Sequence, residues 1–382
     1  MKPFDPYRLY AAVALDRSTF AISFSNKDYE DMYSYVLVYE GQFEQPWTRF
    51  DMPRNITGLT AQRGSDGRPV VHALSDEGDV YTLPAGNQKP SKLKIGGAGV
   101  YSEDATDLGY VNAMTQIDDT FLVTGHHSQL YRIADDRWDW FHKDKLPRAP
   151  ETYDYLNFGC LTGTTDTDLY MSVSYYPKNE RRKLTEEENA RHQELVKQGR
   201  YEEALDLEEA AKKAPTRVIE GRLYHWDGQD WQVVAMPRSG KFYPEPATLA
   251  DIFIESKDKV WAVGDNGVIL VGNADRGFQD VSFKGDSEKL ISITKFKDRM
   301  VLASDYGLHW FDGHLLSPLK PVLDPTVNKN IPTPIKVQTV DDMLYYFDAK
   351  HGVHSFDGER WTEIDIPSEL LQRDFKGLSS KP

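Results

Sequence analysis

Cysteine, long apolar runs, excess positive charge and helical periodicity are all scarce in this chain, and each shortage removes a class of protein. One cysteine, Cys160, stands among 382 residues. It excludes an intramolecular disulfide framework and suits a reducing, cytoplasmic setting. No apolar stretch is long enough to cross a bilayer as a helix, so no membrane partner is expected. The start, MKPFDPYRLYAAVAL, has a Lys and a short apolar run, but Asp5, Pro6 and Arg8 interrupt it. A cleaved signal is not expected, because cleavage would remove an inner strand of the first repeat laid out below. Lys and Arg number 45 against 60 Asp and Glu, for a net charge of −15. The acids are spread along the chain, and no basic stripe is present to neutralise phosphates. Nucleic acid is thereby excluded as a partner, and a basic protein surface is favoured.

Motifs that carry chemistry are missing too. There is no Gly-x-Ser-x-Gly elbow, no Gly-rich phosphate loop and no His-Glu-x-x-His. Cys160 falls among Phe158, Gly159 and Leu161 on an expected inner strand, which reads as a buried, inert thiol. His126 and His127 are adjacent, and on a strand they would point to opposite faces, so no metal or other cofactor is expected. His225, His309 and His354 recur at corresponding places and read as packing positions. Asp135-Asp136 and Asp341-Asp342 fall in turns, where Asp bonds local backbone.

Aromatics, at 12%, and one hairpin signal are what the chain has in quantity. The signal reads HWDGQDW at 225–231 and SFDGERW at 355–361, with WFDGH at 310–314 and a looser VYEGQFEQPW at 38–47. Asp-Gly between short alternating runs predicts a type I′ turn, whose two central positions need positive φ. Aligned on these hairpins, the chain divides into seven units of four strand-like runs, at 9–53, 55–95, 110–142, 156–237, 249–283, 290–321 and 334–367. Apart from the fourth, the units recur roughly every 40–50 residues, the period of a four-stranded blade. Apolar residues alternate within runs, as at Ile252 and Ile254 or Val260 and Ala262, which fits strands with two different faces. A second turn signal separates the second and third runs: SDEG at 75–78, GDNG at 264–267, SDYG at 304–307 and DAKHG at 348–352.

This pattern resembles the β-propellers as a class. The expected fold is all-β, a single propeller domain over 1–382 with seven four-stranded blades and a C-terminal tail at 368–382. Units two and three are degenerate, which leaves six or eight blades as alternatives. The stretch VWAVGDNGVILVGNADRGF at 260–278 resembles the sialidase-type or photosystem-assembly-type repeat, with NADRGF as a degenerate Asp-box. The other blades lack that box, so sialidase chemistry is not carried over. A recurring Gly-His…Trp-Asp pattern is also absent, which sets the chain apart from a standard WD40 array.

One segment, 179–216, breaks the β pattern. Thr185 followed by Glu188 predicts a capping box, a helix through 187–198 and a stop at Gly199. A second helix is expected over 201–213. The phrase QGRYEEALDLEEAAKKAP resembles the turn and second helix of a tetratricopeptide repeat, through Gly199, Tyr201, Ala204, Leu205 and Ala211. A single repeat cannot bury its own apolar face, so the hairpin is expected to pack on the propeller or on something else. It replaces the loop between the second and third strands of the fourth blade. In propellers that loop leaves on the face of the blade-to-blade connections, the face that usually binds ligands.

The same face is expected to carry Asp28, Tyr29, Glu30 and Asp31, His126 and His127, Asp265 and Asn266, Asp305 and Tyr306, and Lys350 and His351. Tyr153, Tyr155, Phe242 and Tyr243 are expected there from connectors, and Glu187, Arg191, Glu194, Tyr201 and Glu202 from the hairpin. A charged, tyrosine-rich rim with a projecting arm points to a non-catalytic protein-binding module. The layout resembles the propeller-type immunity proteins of bacterial type VI and Rhs toxin systems, in being a stand-alone acidic propeller with irregular blades and no catalytic motif. That resemblance implies a basic toxin domain, such as a nuclease, as partner. A general scaffold or assembly factor is the alternative. A hydrolase or lyase acting on a small or carbohydrate substrate in the central funnel is a second, since single residues from several blades can build a site without a motif.

Overall fold

The structure, a computed structural model, describes residues 7–26, 32–84, 89–178, 184–212, 219–242, 246–283, 288–319, 333–372 and 379–380. Consecutive strands pair antiparallel to give seven four-stranded sheets. The first strand of each is innermost: Tyr7–Asp16, Ile56–Arg63, Val111–Ile117, Tyr153–Thr165, Leu249–Ser256, Leu290–Phe296 and Pro334–Val340 in blades 1 to 7. Each packs beside the next, and that of blade 7 packs beside that of blade 1, closing the ring. The fold is a seven-bladed β-propeller, as the repeat spacing predicts.

The alternation seen in the sequence builds the core. Successive residues on a strand face opposite neighbours, so each blade is apolar on both sides. Tyr35 of blade 1 belongs to a cluster with Tyr345 and Phe347 of blade 7, whereas adjacent Val36 belongs to one with Leu59 and Tyr81 of blade 2. Similar clusters fill the remaining interfaces between neighbouring blades. The aromatics are spent here: Tyr35, Tyr81, Tyr131, Tyr175, Tyr345, Tyr346 and Trp226 are all buried, and large side chains of this kind stabilise by about 2–3 kcal/mol each.

The Asp-Gly hairpins do not adopt the predicted turn. Positive φ falls on the glycines, Gly228, Gly313 and Gly358, but not on the preceding Asp227, Asp312 and Asp357. Each Asp instead opens a four-residue loop between the paired ends Trp226 and Trp231, Phe311 and Leu316, or Phe356 and Trp361. Its Oδ1 accepts two backbone amides, from Gln229 and Asp230 at 2.9 and 2.8 Å, His314 and Leu315 at 2.9 and 2.8 Å, or Glu359 and Arg360 at 2.8 Å each. Side-chain capping thus replaces the left-handed backbone. The two-residue turns with both residues at positive φ are Asp135-Asp136 and Asp341-Asp342.

Blade 1 holds both the first and the last described strands, at opposite edges of its sheet. A short 3₁₀ turn at Ser368–Leu371 is followed by Ser379–Ser380, which adds a fifth, parallel strand to the outer strand Trp47–Met52. The described parts of the segment expected as a tail, 368–372 and 379–380, therefore lie against the propeller. Arg49 holds it: fully buried, its Nη1 donates to Leu370 O at 2.7 Å and Gln372 O at 2.6 Å, and its Nε donates to Asp51 Oδ1 at 2.9 Å. Its guanidinium lies 4.2 Å from the centre of the Tyr35 ring.

The interruption in blade 4 forms two helices, α1 at Glu186–Lys197 and α2 at Tyr201–Lys212. The capping box is present, with Glu188 N donating to Thr185 Oγ1 at 3.3 Å and Thr185 N to Glu188 Oε2 at 2.8 Å. Gly199, at φ 73°, ends α1, with Gly199 N and Arg200 N donating to Val196 O and Leu195 O. That is the Schellman arrangement, in which the left-handed residue costs least as glycine. Among the described residues the helices pack substantially only on each other. They bury Leu195 and Ala204 and leave Val196, Tyr201 and Leu205 exposed.

Candidate protein-docking face

In a four-stranded meander, the loop between strands two and three leaves from the same edge as the link to the next blade. This connector face carries a continuous band of aromatic rings across blades 2 to 4. Ring centres are 6.5 Å apart for Tyr101 and Tyr110, 6.4 Å for Tyr110 and His126, and 6.5 Å for His126 and Tyr155. His127 stacks on Tyr155 at 4.9 Å, and Tyr155 stacks on Tyr176 at 4.6 Å with their planes 9° apart. The last pair follows from register, since Tyr155 and Tyr176 are cross-strand partners.

Local structure explains why these rings stand where they do. His127 and Ser128 have φ of 50° and 66°, so the tight turn brings both histidines to the same tyrosine rather than to opposite faces. Tyr101 sits in the link between blades 2 and 3, which Glu77 organises. The Glu77 carboxylate accepts from Val100 N at 3.2 Å, Tyr101 N at 3.0 Å and Ser102 Oγ at 2.9 Å. Lys94 Nζ closes the loop by donating to Ala98 O at 3.2 Å and Ser102 Oγ at 2.9 Å. Gly99, at φ 96°, is required there, because a Cβ would fall 2.4 Å from Glu77 Oε2.

Carboxylates lie beside the band, together with the Lys94 ammonium of the Tyr101 loop. Burial pushes the Asp76 carboxyl up to about 6, with adjacent Glu77 adding to the effect against a hydrogen bond from Asn55. Burial, with Tyr101, Asp76 and Glu77, raises the Tyr110 hydroxyl. Burial, with Tyr176 and Asp154, raises that of Tyr155. Burial and the neighbouring His127 hold His126 below the ordinary histidine value, so its ring is neutral at pH 7. Neutral aromatic faces flanked by carboxylates suit a cationic group.

The other expected residues are dispersed. Asp28, Tyr29, Glu30, Asp31 and Tyr243 lie outside the described residues. Phe242 is a correction: at 2% exposure it belongs to the core between blades 4 and 5, because its 3₁₀ turn directs the ring inward. His351 is another, at 8% exposure, with its backbone N–H and that of Lys350 donating to Asp348 Oδ1. Asp265 is engaged by Thr248 Oγ1 and by Lys289 Nζ at 3.4 Å. Asn266 takes the left-handed conformation of its turn, at φ 59°. Asp305 and Tyr306 are exposed, Tyr306 at 69%, but sit on blade 6, away from the band. Glu187, Arg191, Glu194, Tyr201 and Glu202 are exposed on the helices. Tyr153 packs on Tyr175 and donates to Glu220. Sequence reasoning missed Tyr101, Tyr110 and Tyr176; the signal available was their placement within connectors or beside the insertion.

The histidines read as packing positions are hydrogen-bonded: His225 to Asp168 at 2.7 Å, His309 to Ser304 at 3.1 Å and His354 to His351 O at 3.0 Å. Cys160 is half-buried, not sealed in the core, because it lines the central cavity. Burial and the nearby Asp251 carboxylate push its thiol well above the ordinary cysteine value, which leaves little thiolate.

Comparison with known proteins bears on the fold. Neither a scan against protein-family models nor a search of curated proteins finds a match. Among solved structures, the WD40 β-propeller domain of Doa1 is similar at a TM-score of 0.54 and 8% identity, covering 93% of this chain and 94% of that one. A catalytically inactive virginiamycin B lyase from Staphylococcus aureus, solved with quinupristin, gives 0.57 and 10%, covering 92% and 96%. YCF48 from Cyanidioschyzon merolae gives 0.55 and 11%, covering 94% and 98%. YCF48 is also solved bound to a D1 peptide, at 0.52 and 11%, covering 93% of each chain. Identities this low speak for the shared propeller architecture alone.

Proposed function

We propose that this propeller is a non-catalytic protein-binding module whose connector face docks a partner through the band from Tyr101 to Tyr176. The observation that carries the reading is the convergence of packed rings at one surface, drawn from the link between blades 2 and 3 and from blades 3 and 4. Tyr101 is 57% exposed and His127 is exposed. Rigid aromatic anchors of this kind dominate the energetics of protein interfaces. Asp76 and Asp154 beside them, with the net charge of −15, favour a partner that presents Lys or Arg. A YCF48 propeller is solved with a bound D1 peptide, which supports a peptide ligand for an architecture of this kind.

The finer form of the proposal is an immunity protein that covers the basic cleft of an antibacterial toxin. Complementary charge would speed encounter, and occlusion of the cleft would silence the toxin. Co-expression with the product of an adjacent gene tests it. A toxin that kills alone, is neutralised by this chain and regains activity against a Tyr155→Ser, Tyr176→Ser double variant supports the immunity reading. Tight binding to a non-toxic partner, equally disrupted by that variant, would leave a scaffold or assembly role. Binding unaffected by the double variant would refute the docking face itself.

A further inference from the structure

The inner strands of blades 3 to 7 line a central cavity of about 640 Å³, a size typical of sites that bury small molecules. A recurrent bulge near the start of the inner strands sets what faces the axis. The first paired position beyond it is Ala11, Gly58 and Ala113 in blades 1 to 3. Of these, Ala113 lines the cavity, Ala11 is buried in the core between blades 1 and 2, and a Cβ on Gly58 would meet Met114 N at 3.1 Å. At the same level, blades 5 to 7 carry Asp251, Ser292 and Lys336, and Cys160 lies at the bulge in blade 4.

Asp251 and Lys336 are not equivalent. The Asp251 carboxylate is saturated: Oδ2 accepts from Ser292 Oγ at 2.8 Å and Ile293 N at 2.9 Å, and Oδ1 accepts from Ile252 N at 2.9 Å and Cys160 Sγ at 3.6 Å. It bridges blades 4, 5 and 6 and has no lone pair to spare for a ligand ammonium. Gln338, on the same wall, is likewise committed to the backbone of Ala14 in both directions. Lys336 lines the cavity half-buried. Among the described residues, no hydrogen bond or ion pair engages its ammonium. Burial holds its pKa below the ordinary lysine value, against the opposing pull of Asp251 and Cys160.

We infer that the central cavity binds a small carboxylate-bearing molecule, with Lys336 as the anchoring cation. A carboxylate replaces the water that the ammonium gives up on burial and supplies the acceptors its three donors lack. A zwitterion is disfavoured, because the one acid on the wall is already occupied by four donors. This site is separate from the docking face, and neither proposal depends on the other.

Calorimetric titration of the full chain with malonate tests the inference, with Lys336→Met and Lys336→Arg as variants and inorganic phosphate as a comparison ligand. Saturable binding to the wild type, weakened at least about tenfold by Lys336→Met and largely kept by Lys336→Arg, is expected for a charge-assisted contact. Absence of saturable malonate binding, equal affinity in Lys336→Met, or a clear preference for phosphate would overturn it. Should Lys336→Met fail to fold, wild-type crystals soaked in malonate decide. Density within hydrogen-bond distance of Lys336 Nζ sustains the site, and malonate elsewhere or absent refutes it.

Discussion

Arg49 Nη1 donates to the carbonyl of Leu370 at 2.7 Å, across 321 residues of chain. The four antiparallel strands of blade 1 are all early in the chain, and those of blade 7 are all late. The ring is therefore closed by inner-strand packing, the short parallel strand Ser379–Ser380 and the clasp on Arg49. Replacing Arg49 by Met keeps an unbranched apolar stem but removes the donor to two carbonyls and one donor to Asp51, which keeps the Tyr33 hydroxyl. The expected cost is about 3 kcal/mol, read as a lower denaturant midpoint, with faster proteolysis of the C-terminal segment.

The docking band yields a contrast between two tyrosines. Truncating Tyr155 to Ser removes the ring on which His127 and Tyr176 both stack, and partner affinity should fall by about 2 kcal/mol or more. Tyr306→Ser, on blade 6, should change it by less than about 0.5 kcal/mol. Interferometry with the purified partner measures both, and equal effects would dissolve the distinction.

The loop aspartates make stability depend on acid. Backbone amides hold the carboxyls of Asp227, Asp312 and Asp357 below the ordinary value of 3.8. A depressed folded-state pKa contributes stability that is full above 3.8 and is lost as pH falls through the lower, folded value. The triple Asp→Asn variant keeps an acceptor at each loop but cannot be protonated there. Its urea midpoint should therefore fall less than that of the wild type between about pH 5 and about pH 2.

Asp76 has the opposite sign. Its carboxyl is raised from 3.8 to about 6 by burial, so the folded state holds its proton more tightly than the unfolded one. The stability this supplies is full below pH 3.8 and is lost as pH rises through about 6. Asp76→Asn should thus raise the denaturant midpoint relative to the wild type at about pH 8, with little gain at about pH 4. A gain independent of pH would mean that Asp76 is not buried as described.

Blade number and strand limits were legible because alternation and turn residues are local signals. The Asp-Gly turn was misread because a capping carboxylate and a left-handed backbone leave the same dipeptide in the sequence. Asp251 and Lys336 looked like ordinary strand residues, since a single-residue bulge, invisible to periodicity, decides which side faces the axis. His126 and His127 were expected on the connector face, but their shared stacking on Tyr155 depends on a turn at positive φ. The band as a whole was illegible, because its rings come from separate segments that only the closed ring brings together.

The helical hairpin separates folding from binding. Among the described residues, helices α1 and α2 bury Leu195 and Ala204 and otherwise pack little on the blades. Joining 178 to 219 through a short Gly-Asn linker should leave the propeller's denaturant midpoint nearly unchanged, since the flanking strands pair from Glu220 and Tyr175 onward. The exposed Val196, Tyr201 and Leu205 lie on the arm that begins at 179, two residues along the chain from Pro177, which follows Tyr176 at the end of the band. If the arm extends the docking face, its removal should weaken partner binding by about tenfold while leaving malonate binding at Lys336 intact. Loss of folding would make the hairpin structural, and unchanged partner affinity would confine the interface to the blades.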